Sequence, residues 1–210
     1  MPMEIFNCQQ GTDEWFACRK GIPTASEFST VMAKGKGGAP SKTRAGYMSR
    51  LAREVITGQP QLPTFSNEHT ERGRLHEDRA REVYCFTTGL ITRRVGFIRN
   101  GNVGCSPDSL VGEDGGLEIK CPTEDIQKKR IALQKLPTEY KAQIQGSMYV
   151  TARDWWDFES YFDGIEAVII RVERDDTYIR KLAEELAIFN DELAELTEKM
   201  RREGLAQAAE

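Results

Sequence analysis

The stretch SPDSLVGEDGGLEIKCP, residues Ser106–Pro122, decides the fold. Its apolar runs at 109–111 and 117–121 are separated by a Glu-Asp-Gly-Gly turn signal, which predicts a β-hairpin. Side chains two apart on a strand point to the same face, so Glu118 and Lys120 share a face of a strand that is expected to be half-buried. Charged side chains are rarely found there unless they are paired or coordinate an ion.

A third charged residue, Asp108, begins the first strand of this hairpin, and the turn folds that strand back beside Glu118. Two carboxylates and the Lys120 ammonium then converge. Carboxylate oxygens bind Mg²⁺ near phosphates, the ion generates hydroxide, and a lysine orients the water or stabilises negative charge. This set suits phosphodiester hydrolysis. Because such i, i+2 charges are also common as cross-strand ion pairs, the hairpin alone leaves both interpretations open.

Two predicted helices carry further polar side chains that can reach the same sheet face. Glu77 lies in RGRLHEDRAR and Gln143 in YKAQIQGSMYV. A helix-borne glutamate can complete a metal shell, and a glutamine can hold a water or a metal ligand in place. Taken singly, each is explained more simply as a polar residue on a solvated helix face.

The pattern of the whole chain predicts one α/β domain over residues 1–210, with a central mixed sheet flanked by helices. Four short apolar runs between 95 and 121 predict a β-meander. Further helices are expected at 12–33 (in two pieces), 44–57, 67–88, 125–133 and 138–150, and further strands at 155–162 and 166–173.

The tail, about 175–204, predicts one long helix because apolar residues recur at alternating steps of three and four from Ile179 to Met200. Packing against the chain's own sheet is the favoured use of this apolar seam. Pairing with another chain is the alternative.

The composition narrows the class of protein. The 210 residues are enough for one well-buried domain, and 39% hydrophobic with 30% charged residues is typical of a soluble globular chain. No apolar run approaches the ~20 residues of a membrane span, and no secretory signal is visible. The five cysteines are scattered without metal-site spacing, which indicates reduced thiols in the cytoplasm and disfavours zinc or iron–sulfur sites.

The charge distribution is ambiguous about a nucleic-acid partner. A net charge of −4 argues against one, but basic residues cluster locally, at Arg72, Arg74, Arg79 and Arg81, at Arg93-Arg94 and at Lys128-Lys129-Arg130. A basic groove on an acidic body is one interpretation. Charge alone favours ordinary solvated helix faces.

Taken together, these motifs resemble the lambda exonuclease (phage-type alkaline exonuclease) family of the PD-(D/E)xK nuclease superfamily. The resemblance covers nearly the whole chain in order, through QQGTDEWFACRKGIPTASEF, GRLHEDRAREVY, the hairpin, YKAQIQGSMYVT and VIIRVERDDTYI. One departure is visible: the family commonly has Gly after Ser-Pro-Asp, and this chain has Ser109.

The resemblance implies roles for the hairpin residues. Asp108, Glu118 and the backbone carbonyl of Ile119 would bind divalent ions, with two Mg²⁺ expected and Mn²⁺ as a substitute. Lys120 would act on the nucleophilic water.

It implies roles for residues outside the hairpin as well. Glu77 and Gln143 would complete the active site. Arg19, Ser26 and Ser106 would form a pocket for the 5′-phosphate of the degraded strand, since a guanidinium and two hydroxyls suit a terminal phosphate. Within single motifs, Ser26 could equally be a helix cap and Arg19 an exposed helix residue.

The family implies an Mg²⁺-dependent 5′-to-3′ exonuclease that degrades one strand of linear double-stranded DNA to mononucleotides. It would act as a homotrimeric ring, encoded by a phage or prophage, and leave 3′ overhangs for a single-strand-annealing recombination protein. The alternatives are a PD-(D/E)xK endonuclease or repair nuclease, and a DNA-end-binding subunit without catalysis. Trp15 and Leu51 are candidate wedges at the strand junction, although core packing explains both more simply.

Overall fold

The structure is a computed structural model that describes the backbone of residues 2–38, 41–61 and 68–204, and within these the side chains except those of 68–75. The described strands are β1 Glu4–Phe6, β2 Thr92–Arg93, β3 Phe97–Asn100, β4 Val103–Cys105, β5 Ser109–Val111, β6 Gly115–Lys120, β7 Trp155–Ser160 and β8 Val168–Glu173. The described α-helices are α1 Asp13–Arg19, α2 Phe28–Met32, α3 Lys42–Thr57, α4 Glu68–Thr88, α5 Glu124–Leu133, α6 Lys141–Thr151 and α7 Asp176–Arg202. Most agree with the predicted elements within about three residues, and the predicted start of α4 at Asn67 lies outside the described residues.

The strands form two sheets. The larger sheet has the order β2-β5-β6-β7-β8, and the smaller one has the order β1-β3-β4. In the larger sheet β6 and β7 are parallel and the other pairs are antiparallel. A parallel pair needs a long crossover, which α5 and α6 supply. The prediction of a mixed sheet flanked by helices is confirmed.

The predicted β-meander is wrong in one respect, because its two hairpins lie in different sheets. β3 pairs with β4 in the smaller sheet, and β5 pairs with β6 in the larger one. Pro107, between the two hairpins, has no N–H for a ladder bond and suits the change of sheet. β1 and β2 were not predicted because two or three residues give too short a periodic signal.

Gly115 and Gly116, which the sequence analysis assigned to the turn, lie inside β6. They pair with the first residues of β7, Trp155 and Trp156. A Cβ on Gly115 would come within 2.1 Å of the Trp155 ring, and one on Gly116 within 2.4 Å of Trp156. The glycines therefore give room for two indole rings, and the turn itself begins at Gly112 with a φ of 53°.

Strand β6 separates two cores. Leu117 and Ile119 join a smaller cluster with Ala80 and Tyr84 of α4. The opposite face borders the larger core, which α3, α6 and α7 help to build. β6 is therefore buried on both faces rather than half-buried, and Glu118 is only 2% exposed.

The tail helix α7 begins after Asp175, whose side chain accepts a hydrogen bond from the backbone N–H of Tyr178. Its apolar seam is buried from Ile179 to Leu193. The partners are mainly α3, with α2 and α6, so the seam packs within the chain but against helices rather than the predicted sheet. None of the described helices combines the length and apolar character of a membrane span.

Candidate active site

The hairpin brings its two carboxylates together. The register of β5 and β6 places Ser109 opposite Leu117, so Asp108 comes level with Glu118. Asp108 Oδ2 accepts a hydrogen bond of 2.5 Å from the backbone N–H of Ile119. Asp108 is therefore fixed to the strand that carries Glu118.

The carboxylate of Glu118 receives two donors. Gln143 Nε2 of α6 donates to Glu118 Oε1 over 2.6 Å, and the ammonium of Lys120 forms an ion pair with the same oxygen. The Lys120 Nζ also lies 5.4 Å from the centroid of the Tyr140 ring. The predicted set of Asp108, Glu118, Lys120 and Gln143 is thus assembled in one place.

Glu77 lies on α4 at the edge of the same site. It lines a cleft of about 510 Å³ together with Asp108 and Trp15. Its carboxylate pairs with the guanidinium of Arg81, one helical turn further on. Glu77 therefore reaches the cleft, as predicted, but its nearest charged partner is Arg81.

The electrostatics of the site favour a bound cation. Burial raises the pKa of Asp108 well above its usual range, and the charges of Glu118 and Glu77 raise it further. Burial lowers the pKa of Lys120, but the negative charges of Glu118 and Asp108 outweigh this and raise it above the ordinary value. Lys120 is therefore a cation at neutral and alkaline pH.

The donor set fits Mg²⁺, which binds through one or two carboxylates and keeps several waters. Among the residues that the structure describes, no three Asp, Glu, His or Cys side chains are grouped as a metal shell. Burial and the neighbouring carboxylates disfavour ionisation of Asp108, and this is the observation in favour of an ion, since a divalent cation would stabilise the ionised form.

The three residues predicted to bind the 5′-phosphate, Arg19, Ser26 and Ser106, lie around the Arg19 side chain. The Arg19 guanidinium stacks 3.9 Å from the centroid of the Trp15 ring, and its Nη2 donates to Thr24 Oγ1 over 3.3 Å. The hydroxyls of Thr24 and Ser26 lie 3.4 Å apart. Trp15 Nε1 donates to Ser106 Oγ over 2.9 Å. The structure thus links the three predicted residues, with Trp15 and Thr24 between them.

Arg19 lies in a pocket of about 250 Å³, which Tyr47 and Arg50 also line. Burial lowers the pKa of Arg19, and the charge of Arg50 acts in the same direction, whereas Tyr47 and Glu54 act in the opposite one. Within the described part of the chain no carboxylate forms an ion pair with Arg19. Its charge is therefore available to an anion.

The sequence analysis assigned no role in the site to four residues that shape these two groups, namely Thr24, Arg50, Arg81 and Tyr140. Arg81 could have been found from the E-x-x-x-R spacing, which puts it one turn from Glu77. Of the two candidate wedges, Trp15 stacks on Arg19 and lines the cleft. Leu51 is 3% exposed and belongs to the larger core.

Several described side chains of the basic clusters are buried or paired, and Arg81 and Arg94 share Asp78 as a partner. Arg81 and Arg130 are buried, and Arg79, Arg94 and Lys128 each pair with a carboxylate. The side chains of Arg72 and Arg74 lie outside the described ones.

A mixed sheet with an Asp, Glu and Lys set on its central hairpin, flanked by helices, is the arrangement of a PD-(D/E)xK-type nuclease. Residues 14–154 match the YqaJ-like viral recombinase domain, and the chain belongs to that family. This confirms the predicted membership of the lambda exonuclease family, and the family and the fold support a nuclease enzyme.

The solved structures agree. An alkaline exonuclease from Laribacter hongkongensis, LHK-Exo, is 35% identical over 92% of this chain and 98% of its own, with a TM-score of 0.83. The same protein in complex with dAMP is 36% identical, with equal coverage and TM-score. A phage-related exonuclease from Haemophilus somnus 129PT shares the fold at 16% identity, with a TM-score of 0.66 over 85% of this chain and 96% of its own. No curated protein sequence matched.

Proposed function

We propose that the protein is an Mg²⁺-dependent exonuclease that degrades the 5′-ended strand of linear double-stranded DNA from 5′ to 3′. The single observation that carries this proposal is the position of Trp15. Its ring stacks on Arg19, and its edge lines the cleft of Glu77 and Asp108. An unpaired guanidinium for a terminal phosphate is thereby adjacent to carboxylates suited to a metal ion.

In this proposal Asp108, Glu118 and the backbone carbonyl of Ile119 hold the divalent ions, of which two are expected, with Mn²⁺ able to replace Mg²⁺. When bound, the ions supply a hydroxide and neutralise charge on the scissile phosphate. Lys120, whose ammonium pairs with Glu118, orients the attacking water and stabilises the negative charge that develops on the phosphate.

Two helix residues support this centre. Gln143 holds Glu118 through its amide, and this fixes the direction of the carboxylate. Glu77 completes the acidic wall of the cleft. Arg19, Ser26 and Ser106 bind the 5′-phosphate, which places the adjacent phosphodiester at the carboxylates.

The relatives support the product and the biological setting. LHK-Exo is an alkaline exonuclease whose structure was solved with dAMP, a mononucleotide of the kind that this reaction releases. We extend the proposal to residues 1–210 as a single domain, a homotrimeric ring around DNA, a phage or prophage origin and action in the bacterial cytoplasm. The 3′ overhang would then pass to a single-strand-annealing protein.

The test uses linear duplexes carrying a fluorophore at an internal base of each strand, with either 5′-phosphate or 5′-hydroxyl ends. Mg²⁺-dependent release of labelled mononucleotides, faster from phosphorylated ends and abolished by EDTA, is the expected result. Lys120→Ala should abolish it. Lys128→Ala, an exposed lysine paired with Glu124, should not.

Other outcomes identify the alternatives. Cleavage of closed circular DNA, or indifference to the 5′ group, would favour an endonuclease. Binding of DNA ends without any cleavage would favour a non-catalytic subunit.

A further inference from the structure

Arg81 of α4 is a buried guanidinium, 7% exposed, at the boundary between the helix and the hairpin. Toward its own helix, Nη1 donates to Asp78 Oδ1 over 3.0 Å, and Nη2 forms an ion pair with Glu77. Toward the hairpin, Nε donates to Ser109 Oγ over 2.9 Å, and Nη2 lies 3.3 Å from the carbonyl oxygen of Asp108. One side chain thus joins the two elements that carry the cleft carboxylates.

We propose that Arg81 is a positioning residue, which fixes Glu77 and Asp108 relative to each other for divalent-ion binding. The role rests on the proposed function, because it concerns the same metal site. A buried guanidinium can do this because its donors lie in a rigid plane and bind several acceptors in fixed directions.

Ser109 is the second part of this connection. It is fully buried, it accepts from Arg81 Nε, and its own hydroxyl donates to the carbonyl oxygen of Asp108 over 2.6 Å. A glycine at this position would lack both hydrogen bonds. The serine that departs from the Ser-Pro-Asp-Gly pattern therefore gives this chain an additional hold on the Asp108 backbone.

The sign of the effect on metal affinity separates positioning from charge. Arg81 is a cation near the ion site, so its charge alone would repel a metal ion, and its removal would strengthen binding. If Arg81 positions the carboxylates, removal weakens binding instead. Ser109→Ala gives the same test without any change of charge.

The experiment measures Mg²⁺ binding to the DNA-free protein by isothermal titration calorimetry, and separately the Mg²⁺ dependence of nuclease activity. Arg81→Gln should raise the Mg²⁺ dissociation constant about 10–100-fold, the usual effect of losing a residue that supports metal ligands. Ser109→Ala should raise it about fivefold, as expected for one hydrogen bond. Arg79→Gln, an exposed arginine on the same helix, should change it less than about twofold.

Arg81→Lys tests the bridge itself, since it keeps the positive charge but places all its donors on one nitrogen, which cannot span the four acceptors on the helix and the hairpin. Its dissociation constant should stay close to that of Arg81→Gln. In the activity assay, the Mg²⁺ concentration at half-maximal rate should rise by a larger factor than the factor by which kcat at saturating Mg²⁺ falls. A variant that is merely unstable would instead lose kcat in proportion to its folded fraction.

Wild-type affinity in Arg81→Lys or Ser109→Ala, or tighter binding in Arg81→Gln, would overturn the positioning role and leave the nuclease proposal intact. If Arg81→Gln does not fold, Ser109→Ala decides the question. Absence of Mg²⁺ binding by the wild-type protein would overturn the proposed metal site and this role with it.

Discussion

The carboxylate centre, formed by Asp108, Glu118 and Glu77, lies next to the Arg19 pocket, but the two regions differ in how their charged side chains are paired. In the carboxylate centre Glu118 is met by Lys120, and Glu77 by Arg81. In the pocket, the Arg19 guanidinium has a Trp15 ring and a hydroxyl as its nearest partners.

The difference indicates what each region still needs. The carboxylate centre keeps its shape through interactions within the chain, but burial and the neighbouring carboxylates disfavour ionisation of Asp108, an effect that a cation would offset. The pocket offers an unpaired cation, and a phosphate would complete it. The proposed function accordingly assigns a metal ion to the first region and a terminal phosphate to the second.

The largest expected effect concerns Asp108→Asn. The variant should lose activity on the order of 10³-fold, since metal assistance is worth several kcal/mol and each 1.36 kcal/mol is a factor of ten. In EDTA it should be at least as stable as the wild type, because the raised pKa of Asp108 means that its ionised form opposes folding. Kinetics and thermal denaturation measure both.

Asp125→Asn, exposed at the start of α5, is the matched control and should change neither quantity. Addition of Mg²⁺ should raise the melting temperature of the wild type and of this control, but not that of Asp108→Asn. A clear loss of stability in Asp108→Asn without metal would contradict the view that Asp108 is held at an energetic cost.

The second effect tests the pocket. Arg19→Gln should lower kcat/KM about 10–100-fold on 5′-phosphorylated ends, which corresponds to one charge-assisted interaction of about 1.5–3 kcal/mol. On 5′-hydroxyl ends the change should be small, because no phosphate contact is lost. Arg53→Gln on α3, which removes an exposed charge, is the control. An equal loss on both kinds of end would show that Arg19 does not recognise the terminal phosphate.

A third prediction uses Glu159 of β7, a carboxyl that lacks the internal partner that Glu118 and Glu77 have. It is fully buried, and neither oxygen has a hydrogen-bond partner in the described part of the chain. Burial raises its pKa to about 8, while Arg81 acts in the opposite direction. Between pH 4.5 and 8 the unfolded chain has lost the proton that the folded protein keeps, so Glu159 makes stability fall as pH rises.

Glu159→Gln should remove this contribution. The free energy of unfolding of the variant minus that of the wild type should rise by up to about 4 kcal/mol between pH 5 and pH 8. This figure follows from about 1.4 kcal/mol for each unit by which the pKa is shifted. Urea denaturation at a series of pH values measures the difference. Glu82→Gln on the exposed side of α4 should run parallel to the wild type, and a parallel curve for Glu159→Gln would refute the prediction.

The sequence predicted which side chains of the hairpin lie together better than it predicted the sheets. Strand periodicity alone was enough to put Glu118 and Lys120 on one face, and the hairpin turn was enough to bring Asp108 beside them. Which hairpin joins which sheet depends on long-range pairing, such as β1 with β3, that no local pattern contains. The glycine pair was misassigned for the same reason, because the indole rings that require it lie some 40 residues away.

The sequence pattern also did not show which partners the charged side chains have. A basic cluster around Arg81 has the same sequence signature whether its members face solvent or the interior, and only the packing of α4 on β5 shows that Arg81 is buried. The tail helix shows the converse case. Its seam was evident from the spacing, but the choice between helices and sheet as its partner was not.

The smallest effect concerns Trp15, which connects the two regions compared above. Trp15→Phe keeps an aromatic ring for Arg19 but removes the N–H that binds Ser106 Oγ and the carbonyl of Gly96. Losing one net hydrogen bond of about 1 kcal/mol should lower the ratio of kcat/KM for phosphorylated over hydroxyl ends about fivefold, with Mg²⁺ affinity unchanged. Trp15→Ala, which also removes the stacked ring, should lower that ratio further, toward the value for Arg19→Gln. If Trp15→Phe instead altered Mg²⁺ affinity, the two regions would be coupled through this residue rather than separate, because the indole would then support the carboxylates as well as the guanidinium.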